Sequence, residues 1–208
     1  MIKVCIASNN RNKIKQFGEI FSEKNVDAEL FTAKDVGMGD FPPEDGTTFY
    51  GNSFIKAKAL YDFMNSGDGK CDCYILADDS GISVDALGGA PGVHSARFAG
   101  EHATDEENNL LLQEKLIGVS NRAAHYSCAV TLITPAGRIM CTGGRVDGEI
   151  ISTPRGHDGF GYDPYFYYEG YGKTFAELSS DERNAISHRG RALGKAVELI
   201  IADIGSDI

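Results

Sequence analysis

A basic excess is missing from this chain: 20 Lys and Arg stand against 30 Asp and Glu in 208 residues, a formal charge of −10. Non-specific duplex binding draws its affinity from neutralised phosphates, so a general nucleic-acid surface is excluded. A polyanion must then be handled locally, by donors clustered in a cleft together with a divalent cation. A paired cysteine framework is missing too. Cys5, Cys71, Cys73, Cys128 and Cys141 are odd in number and irregular in spacing, which implies reduced, cytosolic thiols. Cys71-x-Cys73 has no second Cys or His pair at a matching distance, so structural zinc is not expected and the two read as exposed loop cysteines. No apolar run approaches the roughly 18 residues that span a bilayer, and residues 4–7 are too few for the apolar part of a signal peptide. Internal repeats, low-complexity tracts and composition shifts that would mark a linker are absent. The expectation is a soluble, cytoplasmic protein whose partners include neither nucleic acid nor membrane.

What is present is globular: 42% hydrophobic and 24% charged residues argue against disorder. A chain of this length buries roughly 70% of its unfolded surface, enough to form a core without staples. One domain over residues 1–208, arranged in two lobes, is expected. Residues 2–7 form a β-branched apolar run that breaks into Ser8-Asn9-Asn10-Arg11-Asn12, and Ile14, Phe17, Ile20 and Phe21 then recur at helical spacing. Strand, polar loop and amphipathic helix therefore follow in order. A second strand is expected at 28–32. A second helix, at about 48–65, sets Ile55, Ala59 and Phe63 on one side and Asn52 with Lys56 on another. Residues 66–72 form a flexible connection. A short strand at 74–77 runs into Asp78-Asp79-Ser80-Gly81. Thr104 with Glu107 makes a capping box ahead of Leu110, Leu111, Leu112 and Leu116. Ala124, Tyr126, Cys128, Val130 and Leu132 alternate before a turn at Pro135-Ala136-Gly137-Arg138, which predicts a hairpin. Ser180 caps a last helical stretch with an apolar stripe of Leu193, Val197, Ile200 and Ile204. The class is α/β with a mixed sheet.

Four segments carry chemistry. The loop Ser8-Asn9-Asn10-Arg11-Asn12-Lys13 opens a helix, placing backbone N–H groups and two cations where an anion such as phosphate is welcome. It lacks the Walker A glycines and also reads as an ordinary capped turn. Asp78 and Asp79 repel unless a cation or donor intervenes, which suits a magnesium ligand combined with a base that activates water. The following Ser80-Gly81 allows close backbone approach to a ligand, which supports that reading; the alternative is a turn using Asp and Gly. The stretch from Gly156 to Pro164 holds three glycines, two aromatics and two carboxylates. Phe160 there suits stacking on a nucleobase, or Phe160 and Tyr162 are core anchors. Ser187-His188-Arg189-Gly190 offers an imidazole and a guanidinium, donors that match a purine carbonyl oxygen and mismatch an exocyclic amine, while His188 alone reads equally as a plain surface or half-buried histidine. A serine hydrolase is excluded, since Gly-x-Ser-x-Gly is missing.

Taken with Gly46-Thr47-Thr48-Phe49 and Gly88-Gly89-Ala90-Pro91-Gly92-Val93-His94-Ser95-Ala96-Arg97, these segments, in order from Ile2 to about Leu193, resemble the inosine triphosphatase family, the dITP/XTP pyrophosphatases. The resemblance implies an elongated mixed β-sheet flanked by helices, two lobes with a substrate cleft between them, and a homodimer. It implies magnesium-dependent hydrolysis of ITP, dITP and XTP to the monophosphate and pyrophosphate. By position, Ser8, Asn9, Asn10, Arg11, Asn12, Lys13 and Lys56 hold the triphosphate. Asp79 is the proton acceptor and a magnesium ligand, supported by Asp78. Ser80, Phe160, Gly161, Tyr162, Asp163, Arg183, His188 and Arg189 line the nucleoside side. Three departures stand out. Pro43-Glu44 replaces the usual acidic pair, leaving Glu44 as the expected second ligand. Gly51-Asn52 replaces Glu-Asn, and Arg183 stands where Lys is usual, a planar fork in place of a point charge. A Maf-like pyrophosphatase of other base preference and a catalytically weak nucleotide-binding regulator are the alternatives.

Overall fold

The computed structural model describes residues 1–66 and 70–205, with backbone alone at 11 and 12. The connection expected over 66–72 therefore falls partly outside the described residues. Strands β1 (Ile2–Ile6), β2 (Ala28–Thr32), β3 (Tyr74–Val84), β4 (Ala123–Ile133), β5 (Ile139–Ile150), β6 (Phe166–Tyr168) and β7 (Lys173–Thr174) form one sheet in the order β2-β1-β3-β4-β5-β6-β7. β1 runs parallel to β2 and β3, while β6 is antiparallel to β5 and β7, so the sheet is mixed as expected. Helices α1 (Arg11–Glu23), α2 (Phe49–Met64), α3 (Asp105–Lys115), α4 (Ser180–Ile186) and α5 (His188–Gly205) accompany it. None of the described helices is long and apolar enough to cross a membrane. The chain divides into two compact units, one made of Met1–Asp79, Cys128–Gly144 and the stretch beginning at Arg189, the other of Ser80–Ser127 and Arg145–His188.

In the first unit, strand alternation sends successive residues to opposite faces, and each face meets its own helices. Val4, Ile6, Tyr74, Leu76, Val130 and Leu132 pack with Phe17, Ile20 and Phe21 of α1 and with Leu193, Val197 and Ile200 of α5. Cys5, Ala7, Ile75, Ala77 and Ile133 pack with Ala57 and Leu60 of α2. A strand covered on both faces reads as a continuous apolar run, as residues 4–7 do. Cys71 and Cys73 belong to the second cluster and are buried, not exposed loop residues. With their thiols 3.5 Å apart, they serve as small hydrophobes.

α2 buries the side that carries Asn52 and Lys56. Its buried residues are Asn52, Ser53, Lys56, Ala57 and Leu60, whereas Phe63 is exposed. On the Ile55–Ala59–Phe63 side, Ala59 packs against the core while only partly buried. The structure buries the polar side because carboxylates from other segments neutralise Lys56 there. α1 also begins two residues earlier than expected, at Arg11. Asn10 caps it through Oδ1, which accepts the Lys13 N–H at 3.3 Å.

The second unit is built on Ile82, Val84, Leu112, Leu116, Tyr126, Tyr162, Phe166 and Phe175. The Thr104–Glu107 capping box forms as read from sequence, burying Leu112 and Leu116 while Leu110 faces outward. The expected last helix is two. Ser179, not Ser180, caps α4 in a reciprocal box with Glu182, and extended Ser187 separates α4 from α5.

β3 does not stop at Ala77. It continues through Asp78-Asp79-Ser80-Gly81 to Val84, so that tetrad is strand rather than turn. Gly81 is needed for close approach, but to the protein itself. A Cβ there would sit 2.5 Å from the Gly92 carbonyl oxygen and collide with the Ser95 hydroxyl. Ser95 Oγ accepts the Ile82 N–H at 2.9 Å and donates to Gly92 O at 2.6 Å, so it has little room to yield. Gly81→Ala is expected to destabilise by about 1–3 kcal/mol through overpacking. A thermal midpoint equal to wild type would contradict that account.

Candidate functional site

The first unit gathers its charged groups around two adjacent strand residues. Since neighbours on a strand point to opposite faces, Asp78 shares the parity of Leu76 and faces the α1/α5 side. Asp79 shares that of Ala77 and faces α2. Mutual repulsion is relieved by this alternation and by Lys13 and Lys56, whose charges act on both carboxylates.

Asp78 is 1% exposed. Its Oδ2 lies 3.0 Å from Lys13 Nζ and 3.1 Å from Arg189 Nε, and Arg189 Nη1 donates to Gln16 Oε1 at 3.0 Å. Burial by itself raises a carboxyl pKa, but here the charges of Lys13, Arg189 and Lys56 outweigh it and hold Asp78 well below the usual carboxylate range. Asp78 Oδ1 has no hydrogen-bond partner among the described residues.

Asp79 is 8% exposed. Its Oδ2 accepts from Asn52 Nδ2 at 3.0 Å, and its Oδ1 lies 4.0 Å from Lys56 Nζ, which also binds Glu44 Oε2 at 3.1 Å. Burial is the largest influence and pushes the Asp79 carboxyl up, with Lys56 and the Asn52 hydrogen bond only partly offsetting it. The two carboxylates of one β-strand are thus driven in opposite directions, the pattern that separates a permanently ionised group from a proton acceptor.

Upstream of α1, Ser8 is half-buried and Asn9 and Asn10 are exposed. Ser8 Oγ accepts the Asn10 N–H at 3.1 Å. The first turn of α1 contains no acidic residue, so the positive end of the helix is not cancelled by its own side chains. The side chains of Arg11 and Asn12 lie outside the described residues.

Asp79 and Glu44 are hard oxygen donors, and Mg²⁺ is commonly held by one or two carboxylates together with waters and substrate phosphates. No three His, Cys, Asp or Glu among the described residues form a complete protein cage.

In the second unit, Phe160 is 37% exposed, while Tyr162 is a core anchor whose hydroxyl donates to Ser95 O at 2.8 Å. The two aromatics of this motif thus take different roles. Asp163 holds the loop: Oδ2 accepts the Phe160 N–H at 3.2 Å and Oδ1 accepts from Tyr126 at 3.1 Å. Gly161 is clamped on both sides of its peptide, its N–H by Asp105 Oδ2 at 2.7 Å and its carbonyl by Asn109 Nδ2 at 2.8 Å. Gly159 and Gly161 have φ of +82° and +63°, and a side chain at 159 would run into Asp163. The His188 ring stacks on Tyr126 with centroids 4.6 Å apart and 10° between planes. Arg183 Nη1 donates to Phe175 O at 3.2 Å. Ser80 is half-buried.

Of the expected residues, Lys13 joins Asp78, Lys56 and Glu44 join Asp79, and Phe160 to Asp163 share one loop. His188 and Arg189, read from sequence as one donor pair, divide between units, with Arg189 engaged by Asp78 and Gln16. Gln16, Tyr126, Asp105 and Asn109 were not foreseen. Asn52 was noted only as a neighbour of Lys56, and that four-residue spacing on a polar helix face was the signal that could have found it.

The Ham1 family model matches residues 4–199. A dITP/XTP pyrophosphatase of Clostridium perfringens is 44% identical over 197 residues, covering 94% of this chain and 95% of that protein. One from Clostridium tetani is 43% identical over 198 residues, covering 95% and 96%. The structure of a HAM1 protein from Coxiella burnetii aligns with a TM-score of 0.84 at 35% identity over 97% of this chain and 100% of its own. The Staphylococcus aureus Ham1 protein aligns at 0.80 and 34%, over 99% and 100%. Matched almost end to end in sequence and in fold, this chain belongs to the Ham1 family.

Proposed function

We propose that this protein hydrolyses non-standard purine nucleoside triphosphates, ITP, dITP and XTP, to the monophosphate and pyrophosphate. The observation that carries the reading is a buried Asp79 whose carboxyl is pushed up, set beside Lys56 and Glu44 in the unit that also bears Lys13 and the N-terminus of α1, whose first turn holds no acidic residue. A carboxylate whose pKa is raised takes a proton from water more readily than an ordinary one. Lys13 and Lys56 supply positive charge for the polyphosphate as negative charge develops on it. The α1 N-terminus offers backbone donors to phosphate oxygens, joined by the side chains of Ser8, Asn9 and Asn10, and the resemblance adds Arg11 and Asn12 to that set. Asp79 and Glu44 would hold magnesium, which when bound neutralises phosphate oxygens and lowers the pKa of water.

In the second unit, Phe160 offers a ring face for the base and His188 a donor for a purine carbonyl oxygen. Gly161, Tyr162, Asp163 and Arg183 hold the loop and helix on which these two stand. Arg189 acts in this reading through Asp78, keeping that carboxylate ionised. The homodimer implied by the resemblance and the cytoplasmic setting read from the unpaired cysteines belong to the same proposal.

Initial rates for ITP, dITP, XTP, GTP, ATP, dTTP and UTP, with products identified, test it. Faster release of monophosphate and pyrophosphate from the first three is expected, abolished by chelator. Diphosphate products would reject the reaction, and a pyrimidine preference would favour a Maf-like specificity. Tight binding without turnover would mark a regulator.

A further inference from the structure

We infer that Asn52 is a positioning residue that fixes Asp79 relative to the loop carrying Glu44, an inference that rests on the hydrolase reading above. Asn52 is 1% exposed and has both ends of its amide in use. Its Oδ1 accepts the Gly46 N–H at 2.8 Å and its Nδ2 donates to Asp79 Oδ2 at 3.0 Å. A backbone N–H can only donate, so the Gly46 contact determines which end of the amide is oxygen. The NH₂ group is thereby aimed at Asp79, and a carboxylate there can accept it. Reversing the amide breaks both bonds at once, so the two contacts enforce each other.

Gly46 is part of the same joint. A Cβ at that position would stand 2.6 Å from Asn52 Oδ1 and 3.1 Å from its backbone nitrogen. Only glycine lets the loop close on the amide. Asn52 is itself set by the helix start, where its N–H donates to Thr48 O at 3.1 Å and Thr48 Oγ1 caps the Gly51 N–H at 3.0 Å. One turn later, Lys56 holds Glu44 of the same loop at 3.1 Å. A single stretch of α2 thus sets where Asp79 and Glu44 stand. Asn52 acts through Asp79 rather than on the substrate.

Asn52→Asp separates this role from simple loop support. It keeps size and shape and still accepts the Gly46 N–H, but faces Asp79 with an oxygen. Gly46→Ala displaces the amide from the other side without adding charge. Each is expected to lower kcat by about 10- to 100-fold, the scale on which a misplacement near 1 Å acts. KM should stay within about threefold of wild type, and ITP affinity measured by calorimetry without added divalent metal should be unchanged. Wild-type kcat in Asn52→Asp would overturn the inference, because Asn52 would then serve the Gly46 loop alone. Parallel loss of kcat, ITP affinity and thermal midpoint would also overturn it, as would unfolding of Asn52→Asp combined with full kcat in Gly46→Ala. A wild-type enzyme that releases no pyrophosphate would instead defeat the hydrolase reading, and this inference with it.

Discussion

Asp79→Asn is expected to lower turnover by at least about a hundredfold while ITP still binds, the usual scale for loss of a general base. Asn matches the volume of Asp and its Oδ1 can still accept from Asn52 Nδ2, so the 3.0 Å bond that seats the side chain survives. What disappears is the capacity to take a proton. Folding gives an independent control. Burial raises the Asp79 carboxyl in the folded state, so the native protein holds that proton more tightly than the unfolded chain and loses stability as pH rises through the window between the two values. At neutral pH the substituted protein should therefore melt at the wild-type temperature or above it. In the wild type, kcat/KM should fall on acidification, because the base works only when ionised. Turnover of Asp79→Asn within tenfold of wild type would remove the residue from the chemistry.

Asp78→Asn has the opposite signature. Asp78 is the counter-ion of Lys13 and Arg189, whose side chains are 15% and 4% exposed. Removing its charge leaves two cations in a poorly solvated place, a loss of about 3–5 kcal/mol for a broken buried ion pair. For a chain of this size that lowers the thermal midpoint by on the order of 10 °C. The pH dependence follows from the depressed native carboxyl. The stabilisation is complete above the unfolded Asp value and is lost as pH falls toward the folded one. The gap in stability between wild type and Asp78→Asn should therefore narrow below about pH 4. Equal midpoints at pH 7 would show that the buried pair contributes nothing net.

Much of the fold was legible because it depends on local order. The break from residues 4–7 into Ser8, Asn9 and Asn10, the Phe17–Ile20–Phe21 spacing and the Thr104–Glu107 box each need only a few neighbouring residues. The same holds for the chemical inventory, since lysines, carboxylates and a glycine-rich aromatic loop announce themselves by type. Local order also left matters open. The spacing of Ile55, Ala59 and Phe63 did not show that the Asn52–Lys56 side of α2 is the buried one, because Lys56 becomes buriable only once Glu44 and Asp79 arrive to neutralise it. Asp78-Asp79-Ser80-Gly81 has turn composition, yet it is held as strand.

By itself the sequence determined an α/β protein, the strand–loop–helix that presents Lys13, and a carboxylate pair at 78 and 79. Tertiary structure alone decided which partners these two carboxylates meet. The period-2 geometry of β3 sends Asp78 to an arginine 111 positions away and Asp79 to an asparagine 27 positions away. Whether a buried carboxyl gives up its proton or keeps it depends on the charges and donors around it, and those come from distant parts of the chain that only folding assembles.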